Sequence, residues 1–198
     1  MPTVNPQVAA SGDDARYVSA EGGIYAPTSS IQRFGNNTGD GTCGTAVRFV
    51  LNVPQGATIN QAYLEWRSSG GTSNTTCNVI VKAADEDDAA APTDYTDATT
   101  RTRTTAAGTW SAVEAFVSFN WHNSVDLSAV IQEIVDRGGW VSGNHILLFV
   151  DENSSSANAY RDSISYDDDP ASAPKLFVDY TEGGGATKIH RLMLLGVG

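Results

Sequence analysis

The chain has 198 residues, of which 40% are hydrophobic, enough for one large β domain with a real core. Its formal charge of −11 opposes any polyphosphate, which excludes nucleic acid as an expected partner. No stretch reaches the ~20 apolar residues of a membrane span.

The opening residues, MPTVNPQVAASGDD, carry neither a basic region nor an apolar run, so no signal peptide is read there. Pro2 and Pro6 keep residues 1–12 extended, and an N-terminal arm is expected. Residues 14–19 and 31–34 read as short strands, and residues 36–44, NNTGDGTCG, as a turn-rich loop.

The organising stretch is residues 46–66. Val47, Phe49, Leu51 and Val53 alternate with Arg48, Val50 and Asn52, the period of a half-buried strand. Pro54, Gln55 and Gly56 turn the chain, and a second strand sets Ala62, Leu64 and Trp66 on one face with Gln61, Tyr63, Glu65 and Arg67 on the other. Two strands that each carry one apolar face must bury those faces against a further sheet. A β-sandwich follows.

A strand over residues 75–84 comes next, then a long polar passage through Thr109 that begins with Asp85, Glu86, Asp87 and Asp88. Residues 125–137 read as the one helix, since Leu127, Val130, Ile131, Ile134 and Val135 make a single buried stripe. Asp126 is placed to cap it, Glu133 and Arg137 to pair on its exposed face, and Gly138 with Gly139 to stop it. Residues 146–150 form an unbroken apolar run, the mark of a central strand covered on both faces. Residues 159–166 and 175–181 complete about nine strands.

Three segments result: the arm 1–12, the sandwich 13–182, and a glycine linker with an apolar tail over 183–198. Ile189, Leu192, Met193, Leu194, Leu195 and Val197 make that tail an aggregation hazard in water. It is expected to dock, either on its own domain or as an added strand in a neighbouring subunit.

The pattern RF…L.VP.GATI..AYL.W over residues 48–66, followed by an acidic loop, a helix and GW.SGN at 139–144, resembles the DNRLRE-type domains. The resemblance spans residues 13–182. It implies an all-β jelly-roll sandwich close to carbohydrate-binding modules, of the kind found in secreted bacterial proteins and phage virion proteins. It also implies, in general terms only, a structural calcium.

Candidate chemistry is sparse. No G-x-S-x-G elbow, Walker loop or H-E-x-x-H is present, and His122, His145 and His190 lie far apart, so no enzymatic activity is expected. Asp85, Asp87 and Asp88 form either a calcium-binding loop or a solvated acidic turn. Trp121 and Tyr95 are the aromatics freest to stack on a glycan, whereas Trp66 and Trp140 read as core. Cys43 and Cys77 fall on the inward parity of their strands, as buried free thiols or as a cross-strand disulfide.

The function expected first is a structural component of a tailed-phage virion: a decoration, tail or fibre protein, extracellular after lysis of the host. Residues 4–10 and the apolar tail would fasten it to copies of itself and to other virion proteins. The alternative is a carbohydrate-binding module, and host surface glycans are compatible with both.

Overall fold

The computed structural model describes residues 1–72 and 76–183. Its strands are β1 (Thr3–Val4), β2 (Asp14–Val18), β3 (Ile24–Ala26), β4 (Ile31–Asn37), β5 (Gly41–Val50) and β6 (Thr58–Thr72). Further along lie β7 (Val79–Ala83), β8 (Gly108–Trp110), β9 (Trp121–Asn123), β10 (His145–Glu152), β11 (Tyr160–Ile164) and β12 (Lys175–Thr181). Two helices interrupt them, α1 (Tyr95–Thr100) and α2 (Ser128–Val135).

Every strand pair is antiparallel, in the order β1-β12-β6-β11-β4-β5-β10-β7-β8, with β2 also on β5, β3 on β2 and β9 on β6. The sheet bends over on itself into two layers, as a jelly-roll sandwich requires. The bend falls in β6, whose first half pairs with β12 and whose last residues pair with β11 through a register shift. Ala62, Leu64 and Trp66 of β6 and Leu176 and Val178 of β12 face Val47, Phe49, Ile146, Leu148 and Val150 across one apolar core.

Residues 146–150 are covered on both sides. Ile146, Leu148 and Val150 enter the main core, whereas Leu147 and Phe149 enter a second cluster with Tyr17, Ala46, Ala89 and Ala98. The polar passage from Asp85 supplies that second cover. Part of it is α1, which the Thr-rich sequence does not announce; Asp94 caps it by accepting from the Asp97 N–H. Gly44 permits the same packing, because a Cβ there would overlap the Tyr17 ring that crosses it to reach β10.

Helix α2 is shorter than its pattern but buries the expected stripe, with Leu127 just ahead of it and Val130, Ile131, Ile134 and Val135 within it. Asp126 accepts from the Ser128 N–H at 3.1 Å. The expected Glu133–Arg137 pair is replaced. Glu133 accepts from the Thr105 and Ala106 N–H groups, while Arg137 turns to the acidic loop.

The first twelve residues lie on the sandwich instead of projecting from it. β1 pairs with β12, Val8 is buried, and the Val8 N–H donates to the Pro174 carbonyl at 3.0 Å. Of the apolar side chains in residues 4–10 that were expected to fasten to a neighbour, Val8 is used in the domain's own core and Val4 packs against it, whereas Ala9 and Ala10 are exposed. The tail residues Ile189, Leu192, Met193, Leu194, Leu195 and Val197 lie outside the described residues.

Candidate functional site

The outer face of the first layer is built by parity. Where Leu64, Trp66, Leu176 and Val178 point inward, Tyr63, Glu65, Arg67, Lys175 and Phe177 must point outward. Register then sets them side by side, Phe177 opposite Tyr63 and Lys175 opposite Glu65. Tyr63 and Phe177 stack with centroids 4.7 Å apart and planes 15° apart. The arm adds Asn5, whose amide donates to the Glu65 carboxylate at 3.0 Å.

Strand β9 brings Trp121 to this face opposite Arg67. The indole is 36% exposed, with the Lys175 Nζ 4.3 Å and the Arg67 guanidinium carbon 5.8 Å from its ring centroid. Two cations thus hold a large aromatic ring at a solvent-facing sheet surface.

The turn leading into β9 extends the surface. Phe116 is buried and stacks on His122 at 4.3 Å, while His122 Nε2 accepts from the Val117 N–H at 3.0 Å. Beyond that anchor the chain tightens. Phe119 adopts φ +60°, its N–H donates to the Ser68 carbonyl, and the Asn120 N–H donates to the Val117 carbonyl. A bulky residue in the left-handed region is uncommon. The turn leaves Val117 58% and Phe119 61% exposed, two residues apart and just ahead of Trp121.

Tyr95 is elsewhere. It starts α1 over the other layer and helps line a cleft of about 160 Å³ with Tyr17, Thr42, Asp151 and Glu152. Tyr17 donates its phenol to Asp151, which Arg103 also contacts at 3.1 Å. Burial, reinforced by Asp151, pushes the Tyr17 phenol well above its ordinary range, so it serves as a neutral donor. Trp121 and Tyr95 therefore do not share a site.

The acidic loop is occupied by protein partners. Asp85 and Asp87 both bond the Arg137 guanidinium, Asp87 at 2.6 Å, and Asp88 accepts from the His145 backbone N–H at 2.8 Å. That N–H, with the His145 ring, holds Asp88 below the ordinary carboxylate range. Asp85 and Asp87 share one guanidinium and Asp88 turns to His145, so the three do not converge on one centre. Among the described residues no group of three His, Cys, Asp or Glu gathers as a metal site; Asp85, Asp87 and Asp88 are engaged by Arg137 and His145.

Cys43 and Cys77 are both buried and both free, the first of their two alternatives. Burial pushes the Cys43 thiol up to about 12 and raises that of Cys77, so neither is a ready thiolate.

Sequence reasoning missed Tyr63, Phe177, Arg67 and Lys175 as a constellation. Their outward parity was readable. That β9 would lay Trp121 beside β6 depends on register across sequence separations of more than fifty residues.

No family model matches the chain, and no curated protein matches it. Among solved structures it is similar to a family 35 carbohydrate-binding module from Clostridium thermocellum, with 11% identity over 89% of this chain and 98% of that one, at a TM-score of 0.30. That likeness is too loose to carry a residue or a ligand across.

Proposed function

We propose that this protein is a non-catalytic glycan-binding module whose binding face is the outer surface of the first layer. One observation carries the reading: the half-exposed Trp121 indole, held by Arg67 and Lys175 on a flat, mixed polar and aromatic sheet face. A pyranose ring presents an apolar C–H face that packs on an aromatic ring, while its hydroxyls take hydrogen bonds from the neighbouring side chains. Pre-ordering the indole removes part of the entropic penalty of binding.

A glycan array followed by titration calorimetry tests this. The parent protein is expected to bind at least one glycan saturably, and Trp121→Ala to weaken it by about thirtyfold, the effect of losing a ~2 kcal/mol anchor. An unchanged thermal transition in the variant shows that the fold survived. Absence of binding across the array, or binding indifferent to Trp121, overturns the reading.

The second reading is a virion component carrying this module, extracellular after lysis. What favours it is the exposed apolar turn at Val117 and Phe119, which suits burial against another subunit better than exposure to water. Light scattering on the full chain is expected to give an oligomer, and the double variant Val117→Ser, Phe119→Ser a monomer. A monomeric parent removes the support that this turn lends.

A further inference from the structure

The turn ahead of β9 is held by hydrogen bonds, and one of them depends on the protonation of a single ring. His122 Nε2 accepts from the Val117 N–H at 3.0 Å, and Nδ1 lies 3.2 Å from the Glu114 Oε1. An acceptor at Nε2 puts the one proton of the imidazole on Nδ1, where it donates to Glu114. The ring is neutral and satisfied at both nitrogens. Its side chain is only 10% exposed and stacks on Phe116 with planes 12° apart, so it cannot swing aside.

A second proton reverses one of these bonds. Placed on Nε2, it turns an acceptor into a donor aimed at another donor, the Val117 N–H. An acceptor lies within reach, the Val117 carbonyl at 3.5 Å. That carbonyl already accepts from the Asn120 N–H at 3.0 Å, the bond that closes the turn. A charged donor makes the stronger hydrogen bond and displaces the amide. Phe119, enclosed by the turn at φ +60°, adds strain that opening relieves. The Phe119 N–H still donates to the Ser68 carbonyl and the Ser68 N–H to the Asn120 carbonyl, so the opened segment stays on β6.

We propose that residues 117–120 form a pH-operated switch, closed while His122 is neutral and opened when its ring takes the second proton. Histidine is the side chain suited to this change, between about pH 5 and 8. The Glu114 carboxylate favours the charged ring. Arg161 of β11, which feels the Glu114 charge and donates to the Val113 and Glu114 carbonyls, opposes it. Glu65, Arg67 and Lys175 belong to the other face of β9, with Trp121. Opening displaces the exposed Val117 and Phe119 side chains and reaches Trp121, the next residue after the turn. The switch stands whatever that face binds.

Amide NMR on the isotopically labelled full chain, titrated from pH 8 to pH 5, tests this. The Val117 and Asn120 amide resonances are expected to shift with the His122 ring signal, at one shared midpoint. Hydrogen exchange at Asn120, corrected for the intrinsic effect of pH, is expected to run about tenfold faster at pH 5.5 than at pH 7.5, the effect of losing one hydrogen bond. His122→Gln keeps an acceptor for the Val117 N–H but takes no charge, so both amides should stay still. Asp14 and His145, which also change charge near this window, are unaltered in that variant. Glu114→Gln is expected to lower the midpoint by about half a pH unit, as suits a half-exposed ion pair. It carries the test alone if His122→Gln disturbs the thermal transition. Stationary Val117 and Asn120 amides in the parent, the same shifts in His122→Gln, or an unmoved midpoint in Glu114→Gln overturns the switch.

Discussion

Arg33→Met is expected to destabilise the fold by about 3–5 kcal/mol, the range for removing one partner of a buried ion pair. Arg33 and Asp162 are register partners on β4 and β11. The guanidinium Nε and Nη2 each lie 2.7 Å from a different Asp162 oxygen, and Nη1 lies 2.6 Å from Asp40. Asp162 is 4% exposed, so methionine would leave its carboxylate dry and unmatched. Asp40 is less affected, because it is more exposed and keeps Arg16 at 3.4 Å. Adding Asp162→Leu should recover most of the loss, since replacing both charges removes the unmatched ion. Urea unfolding of the two variants checks this, and a single-variant loss below 1 kcal/mol would show that solvent reaches the pair.

Asp14→Asn is the second large effect, and its size depends on pH. Asp14 is fully buried on β2; one carboxylate oxygen accepts the Tyr166 N–H at 2.9 Å and the other has no partner. Burial, with smaller contributions from Asp167 and Asp13, raises its pKa from 3.8 to about 7. Between those values the folded chain holds a proton that the unfolded chain has released, so stability falls as pH rises. The contribution is complete below pH 3.8 and lost by about pH 7, at up to ~1.4 kcal/mol per pH unit within that window. Asparagine stays neutral and keeps an acceptor for Tyr166. At pH 8 the variant is therefore expected to gain about 3–4 kcal/mol relative to its difference from the parent at pH 3.5. Carboxylates held low, such as Asp88, act in the opposite direction, and comparing the two proteins cancels them. A constant stability difference from pH 3.5 to 8 would show Asp14 to be hydrated.

These two sites mark the boundary of what sequence periodicity carries. The stripe of α2 and the two-sided burial of residues 146–150 follow from local spacing, which survives any arrangement of the remaining strands. Trp66 was legible as core for the same reason, since it shares a face with Leu64, and Trp140 from its place just after the helix stop. Arg137 was assigned to Glu133 four residues away, yet it bonds Asp85 and Asp87 some fifty residues earlier, where packing brings a stronger pair of acceptors. That one long-range contact decides where two carboxylates of the acidic loop point. Trp121 was legible as a free aromatic, but its two cations arrive from β6 and β12 by strand register, which no local pattern encodes.

The two sealed thiols carry a consequence of another kind. No covalent staple links the layers, and the only sulfur atoms able to form one are protonated and enclosed within the core. The fold is therefore indifferent to redox poise: glutathione has nothing to reduce and an oxidising medium nothing accessible to join. A chain built this way keeps one architecture in reducing and oxidising media alike.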